Sequence, residues 1–175
     1  NPYPYYEIKT KDDVTLPNDV VIPNGYNNAP VCMIADSCCM GQTTITSVVL
    51  PKYLIVLASK AFSGCTNLST VTIEDGATIP TFSTELFKDC VSLTTINLPD
   101  SVSKITSNCF SGCSNLSTLN INKESKLINI VSPTIAFIDT AITSLHIPAN
   151  LVINSVLKNK EDITINLIRY TSDNQ

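Results

Sequence analysis

The 175-residue chain has no tryptophan, one histidine and five glycines. The single histidine, His146, has no second histidine and no acid or thiol pattern near it in sequence. General acid–base catalysis and histidine-rich metal binding therefore lack their usual partners. None of the five glycines falls in a glycine-rich run, which excludes a phosphate-cradling loop. Charge is sparse: Asp, Glu, Lys and Arg make up 15% of the residues, the net charge is −4, and lysines and arginines form no cluster. A nucleic-acid-binding protein would need such a basic footprint. No apolar run approaches the ~18 residues of a membrane-spanning helix, and Tyr53-Leu-Ile-Val-Leu-Ala58 is too short. Acidic residues come in pairs at Asp12-Asp13, Glu74-Asp75 and Glu161-Asp162, without the spacing of a calcium loop, and read as solvated turns.

What the chain has is apolar content and repetition. Hydrophobic residues make up 43%, enough for one folded domain. Three stretches say nearly the same thing: Phe62-Ser-Gly-Cys65-Thr-Asn-Leu68-Ser-Thr-Val71-Thr-Ile73, Phe87-Lys-Asp-Cys90-Val-Ser-Leu93-Thr-Thr-Ile96-Asn-Leu98 and Phe110-Ser-Gly-Cys113-Ser-Asn-Leu116-Ser-Thr-Leu119-Asn-Ile121. Each reads Phe-x-x-Cys-x-x-Leu-x-x-φ-x-φ, with φ aliphatic. A unit of this kind buries its apolar side only against its neighbours, so Phe62, Cys65, Leu68, Phe87, Cys90, Leu93, Phe110, Cys113 and Leu116 are the expected core.

Weaker copies flank these three. Cys39-Met40-Gly-Gln-Thr-Thr-Ile45-Thr-Ser-Val48-Val-Leu50 reads as a copy one residue short, with Met40 in the Phe position and Cys39 in the small column of Ala61, Cys109 and Ala136. Phe137-Ile-Asp-Thr-Ala-Ile142-Thr-Ser-Leu145-His-Ile147 shows the same shortening. Val20-Val-Ile22 and Ile163-Thr-Ile165 keep only φ-x-φ. Alternation over a few β-branched residues predicts one short strand per repeat. Proline follows it at 23, 51, 99 and 148, where a missing N–H does little harm. A second pattern, Pro51–Leu54–Leu57–Ala61–Phe62 and Pro99–Val102–Ile105–Cys109–Phe110, predicts the opposite wall.

These motifs resemble the BspA-type leucine-rich repeat, also called the Treponema pallidum type. The resemblance implies a mostly-β leucine-rich-repeat solenoid of about six to seven turns of ~23–27 residues. One parallel strand per repeat would form a concave sheet, facing a wall of short strand or helical turn. Residues 34–148 carry the repeats. Residues 1–33 are expected to hold an N-terminal cap with a degenerate first repeat, and residues 149–175 a degenerate last repeat and tail, since solenoid ends need covering. Opening at Asn1 without methionine, the chain reads as processed or as a fragment.

In leucine-rich repeats the concave sheet is the usual recognition surface. Alternation places Thr70, Thr72, Thr95, Asn97, Thr118, Asn120, Ser144 and His146 on it, continued by Ser47, Val49, Asp162 and Thr164. The family resemblance implies a non-enzymatic, adhesin-like module at the cell surface or secreted, binding a protein or a glycan and needing no cofactor. Asn67-Leu-Ser69 and Asn115-Leu-Ser117 are N-glycosylation sequons at equivalent repeat positions. The seven cysteines read mainly as small buried residues. Cys32 and Cys38 fall outside the columns, leaving a bridge between them open. A second reading is a cytoplasmic scaffold, assembled end to end or laterally in a cytoskeletal or filament lattice, where a reducing compartment suits unpaired thiols.

Overall fold

The computed structural model describes residues 5–11, 14–131, 133–149, 151, 153 and 165–169. The chain begins with β1 (Tyr6–Ile8), β2 (Asp19–Val21), β3 (Gly25–Tyr26) and β4 (Ala29–Ile34). It then alternates between long and short strands: β5 (Ser47–Leu50), β6 (Val56–Leu57), β7 (Thr70–Ile73), β8 (Thr81–Phe82), β9 (Thr95–Asn97), β10 (Lys104–Ile105), β11 (Thr118–Asn120) and β12 (Asn129–Ile130). A four-residue helix, α1 (Pro133–Ala136), precedes β13 (Ser144–Ile147) and β14 (Asn166–Arg169).

Two parallel walls result. One is the sheet β1-β4-β6-β8-β10-β12, with β3 added antiparallel to β4. The other consists of the ladders β2-β5-β7, β9-β11 and β13-β14. Among the described residues the chain makes six turns, each with a strand in either wall, and β14 opens a seventh: the solenoid expected from the repeats. Of the expected last strand, Ile163-Thr-Ile165, only Ile165 is among the described residues. Ile165 is buried, but the strand paired with β13 is β14, with Ser144 opposite Asn166. Residues 161–164 lie outside the described part of the chain.

The core between the walls is a column of rings. Phe62, Phe87, Phe110 and Phe137 stack nearly parallel, with centroids 5.8, 5.9 and 5.7 Å apart, and Phe82 tilts against Phe87 and Phe110. All five are fully buried. Each contributes about 1.5–3 kcal/mol by burial, with about 0.5–1.5 kcal/mol more from each ring pair. Beside the rings runs a thiol column. The Sγ of Cys65, Cys90 and Cys113 donates to the carbonyls of Cys39, Phe62 and Phe87 in the preceding turn, at 3.0, 3.1 and 2.9 Å. A hydrogen-bonding thiol of small volume is therefore what that column requires, more than smallness alone.

Backbone bonds between turns fix the columns and correct the reading of the first copy. The N–H of Cys39, Phe62, Phe87 and Phe110 donates to Ala61, Leu86, Cys109 and Ala136 in turn. Cys39 thus occupies the Phe column and Cys38 the small one. Met40, expected in the Phe position, is 53% exposed. No residue is missing from this copy: Cys39 to Ile45 spans the same interval as Phe62 to Leu68. Left-handed residues bracket each such turn, Ser37 and Gly41 here, Lys60 and Gly64, Glu85 and Asp89, and Asn108 and Gly112 thereafter. The shortening of the last copy is real: Asp139 holds the left-handed position, Thr140 the thiol column, and Ile142 enters the core one residue early.

All seven cysteines are unpaired. Cys38 is buried with its Sγ 3.8 Å from that of Cys39, while Cys32 is half-buried on β4. The bridge left open between Cys32 and Cys38 is absent.

Candidate recognition face

The second wall displays what the repeats left unburied. On β7, β9, β11 and β13 the φ residues Val71, Ile96, Leu119, Leu145 and Ile147 turn inward, and the residues between them face solvent. Thr70, Thr72, Thr95, Asn97, Thr118, Asn120, Ser144 and His146 are all exposed. Register aligns them: Ser47 with Thr70, Val49 with Thr72, Thr95 with Thr118 and Asn97 with Asn120. The Asn120 Nδ2 donates to Asn97 Oδ1 at 2.7 Å, one step of an amide ladder. Ser69 and Thr70 hydroxyls lie 3.4 Å apart, and those of Ser117 and Thr118 3.5 Å apart. From β7 to β13 these positions are polar and carry no carboxylate or ammonium; beyond Ser47, on β2, the Asp19 carboxylate accepts the Ser47 hydroxyl at 2.5 Å.

The ladder breaks between β7 and β9 and between β11 and β13. The turn joining β7 to β8 carries Glu74, Asp75 and a left-handed Gly76. A cleft of about 430 Å³ opens there, lined by Thr72, Glu74, Asp75, Asn97 and Asp100. A second cleft, of about 330 Å³, shares Asn97, Leu98 and Asp100 with it and reaches Asn120, Asn122 and His146. The acidic rim was not singled out from sequence, where these residues read as solvated turns. The signal was present: Glu74-Asp75 and Asp100 follow adjacent φ-x-φ strands at nearly the same offset, so stacking brings them together.

The sequons occupy equivalent turns ahead of β7 and β11. Both asparagines are exposed, yet the Nδ2 of Asn67 donates to Thr43 O at 2.7 Å and that of Asn115 to Val91 O at 2.9 Å. Their amides tie each turn to the one before it.

The thiols of the repeat column are held in their neutral form by the core. Burial pushes the Cys65 and Cys113 thiols up to about 12. Burial raises Cys90 and Cys109 well above the ordinary range as well. Cys39 donates its thiol hydrogen to Cys38, which raises Cys39 and lowers Cys38. Among the described residues no three His, Cys, Asp or Glu side chains gather as they would around a metal ion. No helix among them is long and apolar enough to cross a membrane.

Residues 33–164 match six copies of the BspA type leucine rich repeat region. The pneumococcal vaccine antigen PcpA is similar in structure over 96% of this chain, with a TM-score of 0.67 at 17% identity. A leucine rich cell surface protein from Faecalibacterium prausnitzii is similar over 77%, with a TM-score of 0.53 at 25% identity. A leucine-rich repeat protein from Eubacterium ventriosum is similar over 78%, with a TM-score of 0.57 at 15% identity. The chain spans less than half the length of each: 44%, 42% and 40% respectively. No curated protein matches the sequence.

Proposed function

The chain belongs to the BspA-type leucine-rich repeat family, and from that membership we propose a non-enzymatic recognition module that binds a protein partner through the sheet face. The observation that carries this reading is the row of exposed Thr, Asn and Ser side chains on β7, β9, β11 and β13, held in register within β5–β7 and within β9–β11. An uncharged ribbon of hydroxyls and amides suits a partner held by many modest hydrogen bonds. The carboxylates of Glu74, Asp75 and Asp100 at its edge favour a basic segment of that partner and set its orientation. The Faecalibacterium relative is described as a cell surface protein, which supports a surface or secreted location and an adhesin-like role here.

Beads coated with the protein and offered immobilised extracellular-matrix glycoproteins test this. Thr95→Arg/Thr118→Arg places two bulky cations in the middle of the ribbon at exposed strand positions. The wild type is expected to hold at least one glycoprotein and the double variant to lose it about tenfold or more. Equal retention by both proteins would refute the face.

A second reading, an intracellular scaffold, draws support from the seven free thiols. Intact mass after alkylation and glycosidase treatment separates the two. Sugar on Asn67 or Asn115 supports the surface protein, and seven alkylated thiols on an unmodified chain support the scaffold.

A further inference from the structure

A third cleft, of different chemistry, lies on the N-terminal turns. Asn27 and Asn28, at φ 45° and 60°, form the two-residue turn joining β3 to β4, a geometry asparagine tolerates well. Gly25 is required beneath it, since a Cβ there would lie 2.7 Å from the Ala29 carbonyl oxygen. Asn24 locks the hairpin to the turns that follow. Its Oδ1 accepts the Lys52 N–H at 2.8 Å and its Nδ2 donates to Glu74 Oε2 at 2.9 Å. Between hairpin and Lys52-Tyr53 opens a cleft of about 450 Å³, within the size range of small-ligand sites.

Its lining is unusual for this chain. Tyr26 and Tyr53 are 63% and 50% exposed, and both contribute to the cleft. Each ring is already positioned, Tyr26 edge-to-face with Tyr6 at 5.4 Å and Tyr53 beneath the Lys52 ammonium at 4.8 Å. The exposed amides of Asn27 and Asn28 make no side-chain hydrogen bond among the described residues. No carboxylate lines the cleft, and Lys52 is its one charge. Two exposed tyrosines with free amides between them fit a neutral ligand that has an apolar face edged by hydroxyls. The nearby Glu74 carboxylate is already engaged by Asn24, so a cation gains little here, and an anion meets one ammonium.

We propose that the Tyr26–Tyr53 cleft is a saccharide-binding site, in which pyranose rings of a neutral oligosaccharide pack on the tyrosines and hydrogen-bond Asn27 and Asn28. It is separate from the sheet face and stands or falls independently of it.

The test is calorimetric titration, supported by tyrosine emission because the chain has no tryptophan, with cellohexaose, chitohexaose and mannohexaose as probes. Saturable binding of at least one is expected. Tyr26→Ala and Tyr53→Ala should each weaken it about tenfold or more. Asn27→Gly/Asn28→Gly, which keeps the left-handed turn but removes both amides, should weaken it as well. Thr95→Arg/Thr118→Arg should leave it unchanged. No binding of any of the three probes, or tyrosine variants that bind like the wild type, would overturn the site. Preference for a sulfated oligosaccharide that disappears in Lys52→Ala would overturn the neutral-ligand assignment.

Discussion

Phe87 has a stacked ring on each side, Phe62 and Phe110, with Phe82 against it as well. Phe137 stacks on one ring, Phe110. Truncating Phe87 to alanine opens the middle of the column and should cost about 3–5 kcal/mol, read as a fall in the urea midpoint. Phe137→Ala should cost less, and equal losses would mean that stacking adds little to burial. The Cys65 and Cys113 thiols give a pH signature. Their folded-state pKa values are raised, so their contribution is complete below the unfolded value near 8.5 and is lost as pH climbs towards about 12. Each of these two thiols should contribute a slope of up to about −1.4 kcal/mol per pH unit in that window. Thermal melts between pH 8 and 11 should show the midpoint falling, and less steeply in Cys65→Ala/Cys113→Ala. At this scale the core was legible because Phe, Cys and Leu recur at fixed spacing. Cys39 and Met40 read one position out of register, and Cys38 outside the columns, because Cys39-Met40 mimics the small-large pair Ala61-Phe62. Gly41 held the better signal, since it follows Cys39 as Gly64 follows Phe62 and Gly112 follows Phe110.

The turn between the walls is the element that repeats most faithfully in geometry, and glycine is not its only solution. Gly41, Gly64, Asp89, Gly112 and Asp139 share one left-handed position, at φ 72°, 73°, 59°, 76° and 59°. Asp89 carries a side chain where glycine is at home, so Asp89→Gly should stabilise by about 0.5–1 kcal/mol. Gly112→Ala should destabilise by about 1–3 kcal/mol, from its positive φ and because the new Cβ would meet the Asp89 carboxylate. Combining the two should recover part of that loss, and a strictly additive double variant would exclude the contact. Long strands were readable from φ-x-φ alternation. The partner strands of two residues were readable only as a column of apolar residues after proline, since two residues carry no period. The β3–β4 hairpin passed unnoticed although Asn27-Asn28 marks it, because β3 is only two residues long and shows no alternation.

At the scale of the whole molecule the fold is a stack of similar turns with an uncharged polar ribbon along one wall from β7 to β13, flanked by Asp19 on β2 and Arg169 on β14, and a different surface on the other wall. Which columns are buried and which exposed followed from the repeat, so the eight face positions were legible from sequence alone. The clefts were not, because they arise where stacking brings together residues distant in sequence: Glu74 and Asp75 with Asp100, and Tyr26 with Tyr53. The opposite wall supplies the control needed to judge the ribbon, since Lys104 and Asn129 are exposed there on adjacent strands. The most direct measurement is the dissociation constant for the matrix glycoprotein that the coated beads retain best. It should be compared among the wild type, Thr95→Arg/Thr118→Arg and Lys104→Glu/Asn129→Arg. Recognition through the ribbon requires about a tenfold or greater loss in the first variant and wild-type affinity in the second. The reverse pattern, or equal affinity in all three, would contradict it.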